Sequence, residues 1–239
     1  MTMGEIASVF PPPAPTWVPT TDGRQCPVHR VYCVGRNYAE HAIEMGATGR
    51  EPPFFFLKPA DAVVVVPAGT LGHIDYPSLT VNLHHEVELV VMIGRGGRDI
   101  PVEQAAQHIW GYAIGLDMTR RDLQNDMKKQ GRPWDIGKAY EQSAPIGPVH
   151  PVAQTGELRR GAITLSVNDE PRQRGDVADL IWNVNETIAA LSRAWTLQPG
   201  DLIYTGTPAG VGAVAPGDVM TARIAGLGEL RVAVAPRAL

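Results

Sequence analysis

Apolar residues along the chain gather in short runs interrupted by glycine and proline, and the runs are of two kinds. Continuous runs at residues 31–34, 54–57 and 63–66 predict buried strands; Gly35 breaks the first, and Pro59 separates the other two. Residues 84–93 alternate instead. A strand there puts Glu86, Glu88, Val90 and Met92 on one face and Val87, Leu89, Val91 and Ile93 on the other. Further strands are predicted at 112–116, which runs into Asp117, and at 163–167, 202–204, 219–224 and 230–234. Capping signals predict helices after Asn37 (with Glu40), after Asp99 to about residue 108, and after Thr119 (with Asp122) until Gly131 stops the turn. One more helix is predicted near residues 186–195. Strands outnumber helices without regular alternation, so the expected class is α+β rather than a doubly wound sheet. Residues 1–28 are proline-rich, with a strand-like patch at Trp17 and Val18 and a turn at Thr21, Asp22 and Gly23. They are expected to form an arm laid on a main body spanning 29–239.

Composition narrows the function. The chain has 239 residues, 44% of them hydrophobic, which supplies a full core. Its formal net charge is −4 and like charges do not cluster, so the electrostatic attraction behind nonspecific nucleic-acid binding is missing. Apolar runs such as 62–66 and 89–93 fall far short of the roughly 18 residues of a membrane span. The N-terminus lacks the basic-then-apolar order of a secretory signal, and a cytoplasmic location is expected. Cys26 and Cys33 provide neither a disulfide framework nor a cysteine metal site, in keeping with a reducing compartment.

Glu86 and Glu88 on one strand face, with Asp117 at the end of another strand, are the most informative feature. If the three carboxylates converge they repel one another unless a cation intervenes, and oxygen-only ligands suit Mg²⁺ or Mn²⁺. The same spacing also describes an ordinary polar strand face and a loop aspartate. His84 and His85 face opposite ways, so at most His84 could join the glutamates. His41 and Glu44, three apart on a helix, meet on one face, where the carboxylate can fix the imidazole tautomer for general-base work; an exposed ion pair has the same spacing. After Asp117, Arg121, Gln124 and Lys128 recur on one helix side, with Leu123 and Met127 on the apolar side. Arg121 and Gln124 suit a carboxylate or oxyanion, though a solvated face reads identically. The glycine-rich stretches 94–97 and 206–212 lack the residues of a phosphate loop, and Gly-x-Ser-x-Gly is absent.

Taken in order, Val34-Gly35-Arg36-Asn37-Tyr38-Ala39-Glu40-His41, Phe56-Leu57-Lys58-Pro59, Leu83-His84-His85-Glu86-Val87-Glu88-Leu89, Leu116-Asp117-Met118-Thr119 and Thr205-Gly206-Thr207-Pro208-Ala209-Gly210-Val211-Gly212 resemble the fumarylacetoacetate hydrolase superfamily. The resemblance covers about residues 28–235 and is nearest to the small acylpyruvate hydrolases, with an N-terminal arm like that of the fumarylpyruvate hydrolases. It implies a mixed, barrel-like β-roll with few short helices, a homodimer, and one divalent ion per subunit. Glu86, Glu88 and Asp117 would hold that ion, Mg²⁺ or Mn²⁺. His41 and Glu44 would be the base pair, and Arg121, Gln124, Lys138, Thr207 and Lys58 would meet substrate. The implied reaction is hydrolysis of a carbon–carbon bond in a 2,4-diketo acid, with 3-fumarylpyruvate giving fumarate and pyruvate. A broader acylpyruvase, oxaloacetate decarboxylation through the same enolate, and diketo-acid binding without turnover are the alternatives.

Overall fold

The structure is a computed structural model that describes residues 9–38 and 50–236. An eight-stranded mixed sheet forms the centre. It contains β3 (Val31–Gly35), β4 (Phe54–Lys58), β5 (Val63–Val65), β8 (Val87–Ile93), β9 (Ile109–Leu116), β11 (Ala144–Ile146), β12 (His150–Pro151) and β15 (Leu202–Tyr204). They run in the order β4-β3-β15-β8-β9-β11-β5, with β12 also pairing β9. A five-stranded sheet of β6 (Leu71–Asp75), β13 (Ala162–Val167), β14 (Glu170–Asp176), β17 (Val219–Ile224) and β18 (Gly228–Ala235) has the order β14-β13-β17-β18-β6. A small sheet sets β7 (Leu83–His85) between β10 (Thr119–Arg120) and β16 (Gly212–Val214). In the N-terminal segment β1 (Trp17–Pro19) and β2 (Gln25–Pro27) make a hairpin, fixed to the body by Val18 in the core and by the Thr21 amide on the Val149 carbonyl at 3.0 Å. Helices are few: α1 (Arg121–Lys129), α2 (Asp135–Lys138), a single turn at Val152–Thr155, and α3 (Val184–Ala194). The architecture is the α+β curled sheet expected from the sequence.

The faces of β8 divide the apolar interior as the alternation requires. Leu89, Val91 and Ile93 enter the larger core cluster, while Val90 and Met92 enter the smaller one with Cys33 and Tyr204. Each such side chain contributes about 1.5–3 kcal/mol when buried, so a one-residue slip would expose both sets at once. The sequence reading of 84–93 as one strand needs correction. The chain leaves the small sheet after His85 and joins the central sheet at Val87, so Glu86 lies at the break between two sheets.

Three expected caps are also absent. Asn37 gives its side chain to distant backbone, donating to the Trp182 and Thr205 carbonyls at 2.9 and 2.8 Å and accepting from the Trp182 amide at 2.8 Å. Asp99 takes a positive φ of 49°, and the 3-10 turn Val102–His108 begins behind Pro101 instead. Thr119 lies in β10, and α1 starts at Arg121 with no side-chain cap. The stop at Gly131 holds: with φ 63°, it ends α1 through bonds from its own amide to the Lys128 carbonyl and from the Arg132 amide to the Met127 carbonyl.

Candidate metal centre and pocket

Sheet register assembles the acidic group. In the β8–β9 ladder Val87 opposes Leu116 and Glu88 opposes Gly115, so Glu86 and Asp117 are the next partners along, and the Asp117 amide donates to the Glu86 carbonyl at 2.9 Å. Residues two apart on a strand share a face. Glu86, Glu88 and Asp117 therefore project together, and Gly115 leaves room opposite Glu88. All three are buried, and each offers an oxygen such that the three atoms lie within 4.8 Å of one another.

Buried cations hold this cluster together. Lys138, at the end of α2, donates to Glu86 Oε2 at 2.8 Å, Asp117 Oδ2 at 2.7 Å and Thr119 Oγ1 at 2.6 Å. Its own burial disfavours the charge, but Asp117 and Glu86 outweigh that and raise its pKa above the ordinary lysine value. Lys58 sits 2.9 Å from Asp117 Oδ1 and donates to the carbonyls of Met118, at 3.2 Å, and Lys138. Arg121 pairs with Glu86. Glu88 has no such cation: its Oε2 accepts the Gly206 amide at 2.8 Å. Burial first, then the nearby Asp117 and Glu86 charges, drive its pKa well above the usual carboxylate range. A buried, oxygen-only donor set with one carboxylate unmatched by a cation fits a hard divalent ion.

Around the carboxylates, hydrogen bonds fix the neighbours. Helix α1 buries its polar residues, Arg121 and Gln124, whereas Leu123 and Met127 are only partly buried, so the apolar side named from the sequence is not the packed one. Arg121 donates to Gln124 Oε1 at 2.6 Å and to His84 Nδ1 at 3.3 Å. That fixes the Gln124 amide with its NH₂ directed away from Arg121. It also makes His84 an acceptor at Nδ1, with Nε2–H toward Asn82 Oδ1 at 2.9 Å. Burial, then Arg121, lowers the His84 pKa to about 4, so the ring stays neutral.

Gln173, on β14 of the other large sheet, was not singled out from the sequence. Its amide oxygen meets His85 Nδ1 at 2.9 Å and the Val87 amide at 3.0 Å, and its NH₂ donates to Thr207 Oγ1 at 2.7 Å and the Pro208 carbonyl at 2.8 Å. It ties both sides of the Glu86 break to the 205–208 loop. Thr207 in turn donates to the Val87 carbonyl at 2.8 Å. Gly206, at φ 103°, brings its amide to Glu88, and a Cβ there would lie 2.7 Å from that of Asn37.

Among the residues named from sequence, Glu86, Glu88, Asp117, Arg121, Gln124, Lys138 and Thr207 line one pocket with Arg36, Phe56 and Trp134. Lys58 lies behind it, against Asp117. His41 and Glu44 lie outside the described residues. Arg36 has a positive φ of 56°, which costs a residue with a Cβ about 1–2 kcal/mol. Gly35 beside it admits Phe54, whose ring would come within 2.1 Å of a Cβ.

This arrangement can now be set beside known proteins. The chain is 46% identical to a fumarylpyruvate hydrolase of Ralstonia sp over 186 residues, 78% of this chain and 94% of the relative. It is 42% identical to oxaloacetate tautomerase YcgM of Escherichia coli over 196 residues, 82% and 88% of the two chains. The crystal structure of fumarylpyruvate hydrolase from Pseudomonas aeruginosa in complex with Mn²⁺ and pyruvate superposes with a TM-score of 0.95 at 57% identity, covering 97% of this chain and 100% of that one. Residues 30–235 match the family described as fumarylacetoacetate (FAA) hydrolase C-terminal. On that span and those identities, the chain belongs to the fumarylacetoacetate hydrolase family.

Proposed function

We propose that the protein is a divalent-metal-dependent hydrolase of the carbon–carbon bond in 2,4-diketo acids, converting 3-fumarylpyruvate and water to fumarate and pyruvate. The observation that carries this reading is the buried Glu86, Glu88 and Asp117 triad in a pocket, in a chain 57% identical to an enzyme crystallised with Mn²⁺ and pyruvate. The three carboxylates would hold Mg²⁺ or Mn²⁺. When bound, such an ion supplies a docking point for the substrate's carboxylate and 2-keto oxygen and positive charge against the enolate.

The remaining work falls to the side chains. His41, oriented by Glu44, takes a proton from water as the oxygen attacks the distal carbonyl carbon. Every donor of Lys138 is taken by Glu86, Asp117 and Thr119, and Arg121 is committed to Glu86, Gln124 and His84. The Gln124 NH₂ is the better placed donor for the developing oxyanion. Collapse of the tetrahedral adduct breaks the bond to the central methylene, releases fumarate and leaves the electron pair in pyruvate enolate. His41 returns its proton to the methylene carbon to give pyruvate. A positioned base contributes about 10²–10⁴ in rate and an oxyanion donor about 10²–10³.

Loss of ultraviolet absorbance from fumarylpyruvate, followed with Mg²⁺, Mn²⁺ and excess chelator, tests the reading. Ion-dependent turnover that falls at least about a hundredfold in His41→Ala is expected. Unchanging absorbance, turnover indifferent to chelator, or wild-type kcat in that variant would overturn it. The relative named oxaloacetate tautomerase favours a second reading, in which the same enolate chemistry decarboxylates oxaloacetate. That reaction needs no attacking water and survives His41→Ala, so assaying both substrates in the variant separates the two. An arm at 1–28, a catalytic body at 29–239, a homodimer, a cytoplasmic location and a place in gentisate breakdown complete the proposal. The family match over residues 30–235 supports the body's limits. No helix among the described residues is long and apolar enough to cross a membrane.

A further inference from the structure

Three cationic side chains line the pocket: Arg36, Arg121 and Lys138. Two of them answer the acidic cluster, Arg121 through Glu86 and Lys138 through Glu86 and Asp117. Arg36 does not. It forms no hydrogen bond or ion pair with any described residue, and its Nε is buried without an acceptor. Its guanidinium lies 5.7 Å over the Phe54 ring, which packs edge-on against Trp134 at 5.2 Å. Stacking of this kind leaves the donor edge of the guanidinium open to a carboxylate fork. Lys128 on α1 adds positive charge here: burial, then the Arg36 and Arg121 charges, lower its pKa. The pocket therefore has an acidic pole suited to a cation and a basic pole with no anion.

We propose that Arg36 binds the distal carboxylate of a dicarboxylic substrate, so that the enzyme selects acylpyruvates whose acyl group itself ends in a carboxylate. This rests on the reading of the pocket as a 2,4-diketo acid site. A substrate anchored by its pyruvyl end at the acidic pole then places its other charged end at the basic one. The backbone at Arg36, held at positive φ, fixes the base of that side chain.

The test compares kcat/KM for fumarylpyruvate with that for acetylpyruvate, whose acyl group ends in a methyl, in wild type, Arg36→Gln and Arg36→Lys. The ratio is expected to fall about ten- to a hundredfold in Arg36→Gln, the range for removing a charge-assisted hydrogen bond, and less in Arg36→Lys, which keeps the charge without the fork. An unchanged ratio, including one in which both substrates decline together, overturns the assignment. Titration of fumarate and of pyruvate into the Mn²⁺-loaded proteins decides the point independently of turnover. A fall of tenfold or more in the fumarate-to-pyruvate affinity ratio on Arg36→Gln supports it, and an equal ratio refutes it. If wild type leaves fumarylpyruvate intact, the reaction assigned above fails while this titration still judges Arg36.

Discussion

Replacing Lys138 by methionine keeps the length of the side chain and removes the ammonium between Glu86 and Asp117. Lys138 is buried, and its three donors all end on buried acceptors. Removing one member of such a cluster costs about 3–5 kcal/mol, because the charges left behind have already lost water. Here Glu86 keeps Arg121 and Asp117 keeps Lys58, which argues for the lower end. At about 2–4 °C per kcal/mol for a chain of this size, the ion-free variant is expected to melt about 6–12 °C below wild type. Added Mn²⁺ meets two uncompensated carboxylates in the variant but an ammonium already seated in wild type, so its stabilising increment should be larger in the variant. Thermal melts with chelator and with saturating Mn²⁺ measure both quantities. An ion-free Lys138→Met that melts within about 2 °C of wild type, or equal Mn²⁺ increments, would refute the electrostatic reasoning.

Glu88→Gln imitates the protonated side chain that burial favours, so it should leave the ion-free melting temperature within about 2 °C while abolishing tight Mn²⁺ binding and turnover; calorimetry and the absorbance assay check this. Gln173→Ala strands buried partners on three segments and should cost about 2–4 kcal/mol in urea unfolding, with a drop in kcat because the Glu86 break is no longer tied to the Thr207 loop. His150 is half-buried, and burial lowers its pKa below 6.5. Between the folded and unfolded values the unfolded chain binds more protons, so stability rises with pH through that window and is lost as pH falls below about 6.5. His150→Gln should flatten this part of the denaturant-midpoint profile between about pH 5 and pH 8, and an unchanged slope would refute the assignment.

The alternation of Glu86 and Glu88 made two of the three carboxylates legible, because period two fixes their common face whatever the sheet around them. Asp117 was legible as the end of a strand, but only the β8–β9 register puts it opposite Glu86. Glu86 looked like an ordinary strand residue because a change of sheet leaves no mark in the hydrophobic pattern. Asn37 and Thr119 carried capping signals, yet both give their side chains to partners far away in the chain, where tertiary hydrogen bonds outweigh local preference. Gln173 lies in the polar stretch Glu170–Asp176, and nothing local distinguishes it from its charged neighbours; it faces inward because β14 packs against the site. Arg121 and Gln124 reversed the usual rule for α1, since a buried charge cluster stabilises polar side chains where an apolar face would otherwise pack.

The central claim is that Glu86, Glu88 and Asp117 hold one hard cation. Anomalous scattering from crystals grown with Mn²⁺ locates that ion directly. The expected result is a single strong peak in the pocket, contacting one oxygen from each carboxylate, that vanishes in Glu88→Gln. A pocket without a peak under saturating Mn²⁺, or one ligated by other residues, would contradict it.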